Sequence, residues 1–165
     1  MAQLKIAGNV RIGHIYECDF GLYKKPDGTV TDNRDEACTD DYNYRIPNEM
    51  IKKRAVVVIG KHRGIYLVVP ISSTKETAVR PDKEPESKGF HIKLTEQDFP
   101  VTSRYQAGTE RWAKSNLIEA VDGGRLRDIR SDQGHLSAHK ITDETLRKIR
   151  EGVMIAIGLR DLIPN

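Results

Sequence analysis

The sequence predicts a mainly β fold of the α+β kind, a small twisted barrel or rolled sheet capped by one amphipathic helix at the carboxyl end. Three observations predict it. Apolar runs rich in β-branched residues recur, as in Ala55-Val56-Val57-Val58-Ile59 and Ile65-Tyr66-Leu67-Val68-Val69. Gly, Pro, Asp and Asn punctuate the chain between such runs, as turns between strands require. Only near the end does the period change, where Leu146, Ile149, Val153 and Ile157 fall on one helical face.

The first strand is expected over Ile12 to Phe20, where Cys18 is in phase with Phe20. From Gly21 to Met50 aliphatic residues almost vanish and the turn pair Asp27-Gly28 appears. That reads as a long loop holding a small hairpin, and a loop of this length in a compact domain is usually functional or disordered. Its middle is acidic, with Asp32, Asp35, Glu36, Asp40 and Asp41 against Arg34. The two valine-rich runs, joined by Gly60-Lys61-His62-Arg63-Gly64, read as a buried hairpin. The second ends at Pro70-Ile71-Ser72-Ser73, before a charged loop punctuated by prolines. Phe90 to Leu94 alternates as a fourth strand, and Glu110 to Val121 contains a longer one through Trp112, Leu117, Ile118 and Val121. A helix is expected over about 143–158, with Thr142 and Asp143 as caps and Gly158 as its stop. Gly152 inside it costs about 1 kcal/mol relative to alanine, so packing must hold that helix.

A chain of 165 residues has the size of one domain and needs no staples to bury a core. Charged residues make up 31% of it and mean hydropathy is -0.56; no apolar run nears the roughly 20 residues of a membrane helix. The amino terminus lacks an export signal, so a cytoplasmic protein is expected. Cys18 and Cys38 lack paired spacing and read as free thiols, with no structural zinc and no cofactor expected. A formal charge of +3 is mild, so the placement of charge matters more than its sum.

That placement draws the eye to Glu49-Met50-Ile51-Lys52-Lys53-Arg54, directly before a buried strand. A buried strand forces its flanking charges to the sheet edge, and the hairpin returns Ser72 and Ser73 to that edge. A guanidinium beside hydroxyl donors is a natural cradle for phosphate. The same spacing also fits solvated lysines and serines that merely end a strand. His91, on an alternating strand, reads as a proton shuttle or stacking group, or as an ordinary half-exposed residue; His14 only opens the first strand. Trp112 packs beneath the sheet or stacks on a base. Tyr42 and Tyr44, interleaved with Asn43 and Arg45, form a stacking set for single-stranded RNA or pin the loop.

The blocks GHIYECDF, NEMIKKRAVVVIG, YLVVPISST, FHIKL, WAKSNLIEAVDGGRL and LRKIREGVMIAIGL run in order from Gly13 to Leu159. In that order they resemble the MazF/PemK toxins of toxin–antitoxin systems. The resemblance implies an SH3-like barrel, a cognate antitoxin and a second copy of the chain as partners, and single-stranded RNA as substrate. It implies metal-independent cleavage: the 2′-hydroxyl attacks the adjacent phosphate, leaving a cyclic phosphate and a free 5′-hydroxyl. Glu49 and Arg54 keep the family's spacing, although Ala55 replaces its usual proline, and Ser72 takes the place of its threonine. The implied catalytic set is Arg54, Ser72 and Glu49; the implied substrate groove takes in Lys52, Lys53, Ser73, His91, Lys114, Asn116 and Tyr44. Lys114 and Asn116 stand where the best-studied branch has an arginine and an acidic base. Asparagine takes up no proton at neutral pH, so either Glu49 serves as base or the chain is a non-catalytic nucleic-acid-binding or interaction domain. Arg125-Leu126-Arg127, with Arg130, resembles an element of the dimer interface or RNA groove, and the Gly21–Met50 loop lies where the family has a substrate-gating loop.

Overall fold

The computed structural model describes residues 9–46, 50–73, 80–134, 136–137 and 139–165. Its centre is an antiparallel meander of β1 (His14–Asp19), β4 (Lys53–His62) and β5 (Ile65–Ser72). The valine run in β4 is continuous because both faces of the strand are covered. Val56 and Val58 pack on one side; Ala55, Val57 and Ile59 pack on the other.

β8 (Glu119–Asp122) pairs with β5, and a 3-10 turn over Gly123–Arg125 carries the chain to β9 (Leu126–Arg127), which pairs with β1. One continuous segment thus bridges the two edges of the meander and closes an SH3-like barrel. Tyr16, Cys18, Val56, Val58, Val68, Val121 and Leu126 fill its lumen. The outer face of the meander carries a second core, around Ile15, Val57, Val69, Ile71 and Ala113, covered by Leu94, Phe99, Tyr105 and Ile149.

Beyond β5 lie β7 (Trp112–Lys114) and β6 (His91–Lys93). The single long strand expected between Glu110 and Val121 is therefore two. Ile71 faces Ala113 while Val68 faces Glu119, so three steps along β5 are matched by six along the β7–β8 segment. The surplus is taken up by a 3-10 turn over Ser115–Leu117, which lets both pieces pair with the same strand.

The Gly21–Met50 segment holds the hairpin of β2 (Tyr23–Lys24) and β3 (Val30–Thr31), turned at Asp27-Gly28. Two 3-10 turns follow, capped by Asn33 and Asp41. Tyr23 is fully buried and donates its hydroxyl to Ile46 O at 3.0 Å. The acidic middle meets basic neighbours, Lys25 with Glu36 at 2.6 Å and Lys52 with Asp32 at 3.4 Å. Short strands not foreseen from the sequence are β10 (Ile129–Arg130), β11 (Leu136–Ser137) and β12 (His139–Lys140); two residues are too few to show a period.

The helix α1 spans Asp143–Ala156, and Thr142 Oγ1 accepts from Thr145 N at 3.2 Å. Gly152 lies where α1 meets the sheet, and a Cβ there would stand 2.8 Å from both Gly89 O and Ser115 Oγ. Ile157, assigned from its spacing to the apolar face, is exposed because the helix ends one residue before it. Among the described residues no helix is long and apolar enough to cross a membrane. Cys18 and Cys38 are free.

Candidate active site

Lys52 sits at the entry to β4 with a left-handed φ of 62°. Its amide donates to Gly21 O at 2.6 Å and its carbonyl accepts from Phe20 N at 3.0 Å. These bonds clamp the start of β4 to the end of β1. The alternation that follows aims Lys53 at solvent and Arg54 at the lumen rim, opposite Cys18 of β1. Arg54 Nε donates to Ile51 O at 3.1 Å.

The hairpin register pairs Val56 with Pro70; carried two positions further, it sets Arg54 level with Ser72. Ser72 in turn faces Trp112, and Trp112 faces Lys93. Residues opposite one another across antiparallel strands share a face, so Arg54, Ser72, Trp112 and Lys93 form one row on the luminal side. Ser72 is buried, and Ser73 is exposed just past the strand end. Trp112 is half-buried, with the Lys93 ammonium 5.9 Å from its ring centroid. It belongs to this face and not to the outer core.

Lys114 and His91 face each other across β6 and β7 on the same side of the sheet. They are 0% and 4% exposed, so the half-exposed strand histidine expected from the sequence is instead a buried one. Asn116 is exposed on the 3-10 turn between β7 and β8. Glu49 lies outside the described residues. Tyr44 is capped by Arg34, whose guanidinium carbon is 5.0 Å from the ring centroid and whose Nε donates to Tyr44 O at 2.8 Å. Tyr44 therefore holds the loop, while Tyr42 is 92% exposed. His14 faces Lys140 at the far end of β1 and is remote from the row.

Arg125 reaches the near end, where its Nη1 donates to Asp19 O at 3.4 Å, and Leu126 fills the lumen. Burial pushes the Cys18 thiol up to about 12, which keeps it protonated and unreactive at neutral pH. Glu119 was not singled out by sequence reasoning. It faces Val68 and is in phase with Val121, hence on the luminal side, and burial raises its carboxyl against the lowering effect of Arg125. Its phase with Val121 was the available signal. Four residues of β5 separate its level from that of Ser72, about 13 Å along the strand, too far for direct contact with a phosphate on Ser72. Among the described residues, no three His, Cys, Asp or Glu side chains come together to hold a metal ion.

A guanidinium and a buried hydroxyl level with each other on a barrel rim are groups that can donate to an anion. The chain belongs to the PemK-like, MazF-like toxin family of type II toxin–antitoxin systems, whose profile matches residues 37–157. A protein of Haemophilus influenzae is 31% identical over 154 residues, 93% of each chain. YifN of Escherichia coli (strain K12) is 32% identical over 155 residues, covering 93% of this chain and 95% of its own. The MazE-MazF crystal structure from Deinococcus radiodurans is similar with a TM-score of 0.45 and 11% identity, over 91% of this chain and 96% of that one.

Proposed function

We propose that this chain is a single-domain, cytoplasmic endoribonuclease toxin that cleaves single-stranded RNA without a metal ion and is neutralised by a cognate antitoxin. The observation that carries the reading is the β4–β5 register, Val56 opposite Pro70, which extended two positions sets Arg54 level with Ser72 at the mouth of the barrel, within a family of type II toxins. In the proposed reaction, the 2′-hydroxyl attacks the adjacent phosphorus, the 2′-oxygen–phosphorus bond forms and the phosphorus–5′-oxygen bond breaks. Glu49 takes the 2′-hydroxyl proton and Arg54 gives one to the departing 5′-oxygen, which leaves as a hydroxyl; Arg54 is then reprotonated and Glu49 deprotonated through solvent. Arg54 stabilises the charge that builds on the phosphorane, where fixed donors act most strongly, and Ser72 donates to a phosphate oxygen. No protein nucleophile takes part.

Lys52, Lys53 and Ser73, at the same edge, attract and position the RNA backbone, and exposed Asn116 flanks the path. Lys114 and His91, being buried, act from beneath it. A homodimer is the assembly proposed, with the antitoxin covering the rim. Induced expression should arrest bacterial growth and generate new RNA 5′ ends carrying hydroxyl groups. Growth unaffected by the wild-type protein at matched expression would count against the toxin reading and favour a binding domain on the same barrel.

A further inference from the structure

The hairpin of β6 and β7 carries an arm, residues 95–110, outside the barrel, and a cleft of about 470 Å³ opens between the arm and the strand ends. The arm is fixed at several points. Buried Asp98 accepts from Thr95 N and Oγ1, Thr145 Oγ1 and Thr142 N at 2.7–3.0 Å, tying the arm to the start of α1. Arg104 pairs with Glu17 at 2.8 Å, and Ser103 N donates to Asp132 at 2.8 Å.

One wall of the cleft holds Arg111 against Phe99 and Tyr105, its guanidinium carbon 4.7 and 5.2 Å from their ring centroids. The rings meet edge to face at 5.2 Å. Ring contact fixes the plane of the guanidinium but leaves its five N–H donors unused. Among the described residues, no carboxylate, hydroxyl or carbonyl is bonded to them. The neighbouring Lys93, by contrast, is paired with Glu110. A rigid, partly desolvated guanidinium with spare donors is suited to an oxyanion. The cleft is far larger than an ion needs and falls in the range of small-molecule sites, about 300–1,000 Å³.

Its position narrows the ligand. Arg111 lies on the outer side of the sheet with Phe99 and Tyr105, but Lys93, which faces Trp112 in the luminal row, also lines the cleft, so the cleft reaches round the strand ends to the proposed cleavage row. Gln106 and Thr109, with the backbone of Gly108 at φ +78°, line its other side and offer both donors and acceptors to a base edge. We propose that this cleft is a nucleotide subsite: Arg111 binds the phosphate of a nucleotide flanking the scissile bond, and residues 106–109 read its base. The inference rests on the RNA-cleaving reading of the rim.

The test is an amide NMR titration of the whole protein with AMP, GMP, CMP, UMP and inorganic phosphate. Saturable shifts should be confined to the arm and Arg111, with one nucleotide binding more tightly than phosphate. Arg111→Gln should weaken it about tenfold or more, the scale of one charge-assisted contact. Arg111→Lys should fall between, and Arg54→Ala should leave the arm shifts in place. On random-sequence RNA, Arg111→Gln should flatten the preference at a position beside the cut. Should Arg111→Gln unfold, the wild-type titration alone decides. Absence of saturable shifts, shifts unchanged in folded Arg111→Gln, or equal affinity for inorganic phosphate would overturn the subsite. Shifts with a hexaglutamate peptide but none with nucleotides would overturn it in favour of a protein partner. Nucleotide binding by a protein that cuts no RNA would instead sink the nuclease reading and leave a nucleotide site standing.

Discussion

Arg54 reaches the rim because Lys52 turns the chain. A left-handed lysine is strained by about 1–2 kcal/mol, and here backbone bonds on both sides of it hold the conformation. Lys52→Gly should therefore keep full stability in urea unfolding, or gain up to about 1 kcal/mol. Lys52→Val should lose about 1–2 kcal/mol, since a β-branched side chain tolerates that φ poorly. Asp98 offers a second check. Burial raises its carboxyl, but the hydrogen bonds from Thr142, Thr95 and Thr145 outweigh burial and hold it below the ordinary value of 3.8. A carboxyl depressed by folding stabilises above its unfolded pKa, and that contribution is lost as pH falls through the folded one. Asp98→Asn should be about 2 kcal/mol less stable at neutral pH and should show a flatter decline below about pH 4 in urea melts. At this scale the sequence reveals what lies next to a strand: Arg54 and Ser72 flank apolar runs whose pairing can be inferred. Asp98 and Arg111 stayed hidden because their partners, Thr142 and Thr145 in one case and Tyr105 in the other, meet them only through tertiary folding.

Among the elements, α1 shows why propensity misleads at one position. Glycine at 152 weakens a helix by about 1 kcal/mol, yet the helix lies so close to the β6–β7 end of the sheet that Cβ would press on Gly89 O and Ser115 Oγ. Overpacking costs about 1–3 kcal/mol. Gly152→Ala should therefore lower stability by up to about 2 kcal/mol, or up to about 8 °C in melting temperature, instead of raising it. Thermal unfolding by circular dichroism reads this directly. The β4–β5 hairpin was legible because both of its strands are long and apolar. The break between β7 and β8 was not, because Trp112, Leu117, Ile118 and Val121 are compatible with one strand until the two registers on β5 are compared. Residues 95–108 carry almost no period and read as a plain connection, although they belong to a fixed arm.

For the molecule as a whole, closure of the barrel by β8 and β9 defines the rim, and the rim gathers side chains from three separate parts of the sequence. Lys53 and Arg54 come from the start of β4, Ser72 from the end of β5, and Trp112 from β7. The barrel with its closing helix was readable from strand punctuation and the final change of period. The position of Lys114 was not: the family resemblance implies a groove residue there, whereas strand pairing with His91 buries it. The central claim is that Arg54 and Ser72 form a metal-free phosphate-cleaving rim. Its most direct test is incubation of purified protein with a single-stranded RNA in EDTA, with the product ends identified by mass spectrometry. The account predicts 2′,3′-cyclic phosphate and 5′-hydroxyl ends from the wild type, and a loss of at least about a hundredfold in rate for folded Arg54→Ala. Undiminished cleavage by that variant would contradict it.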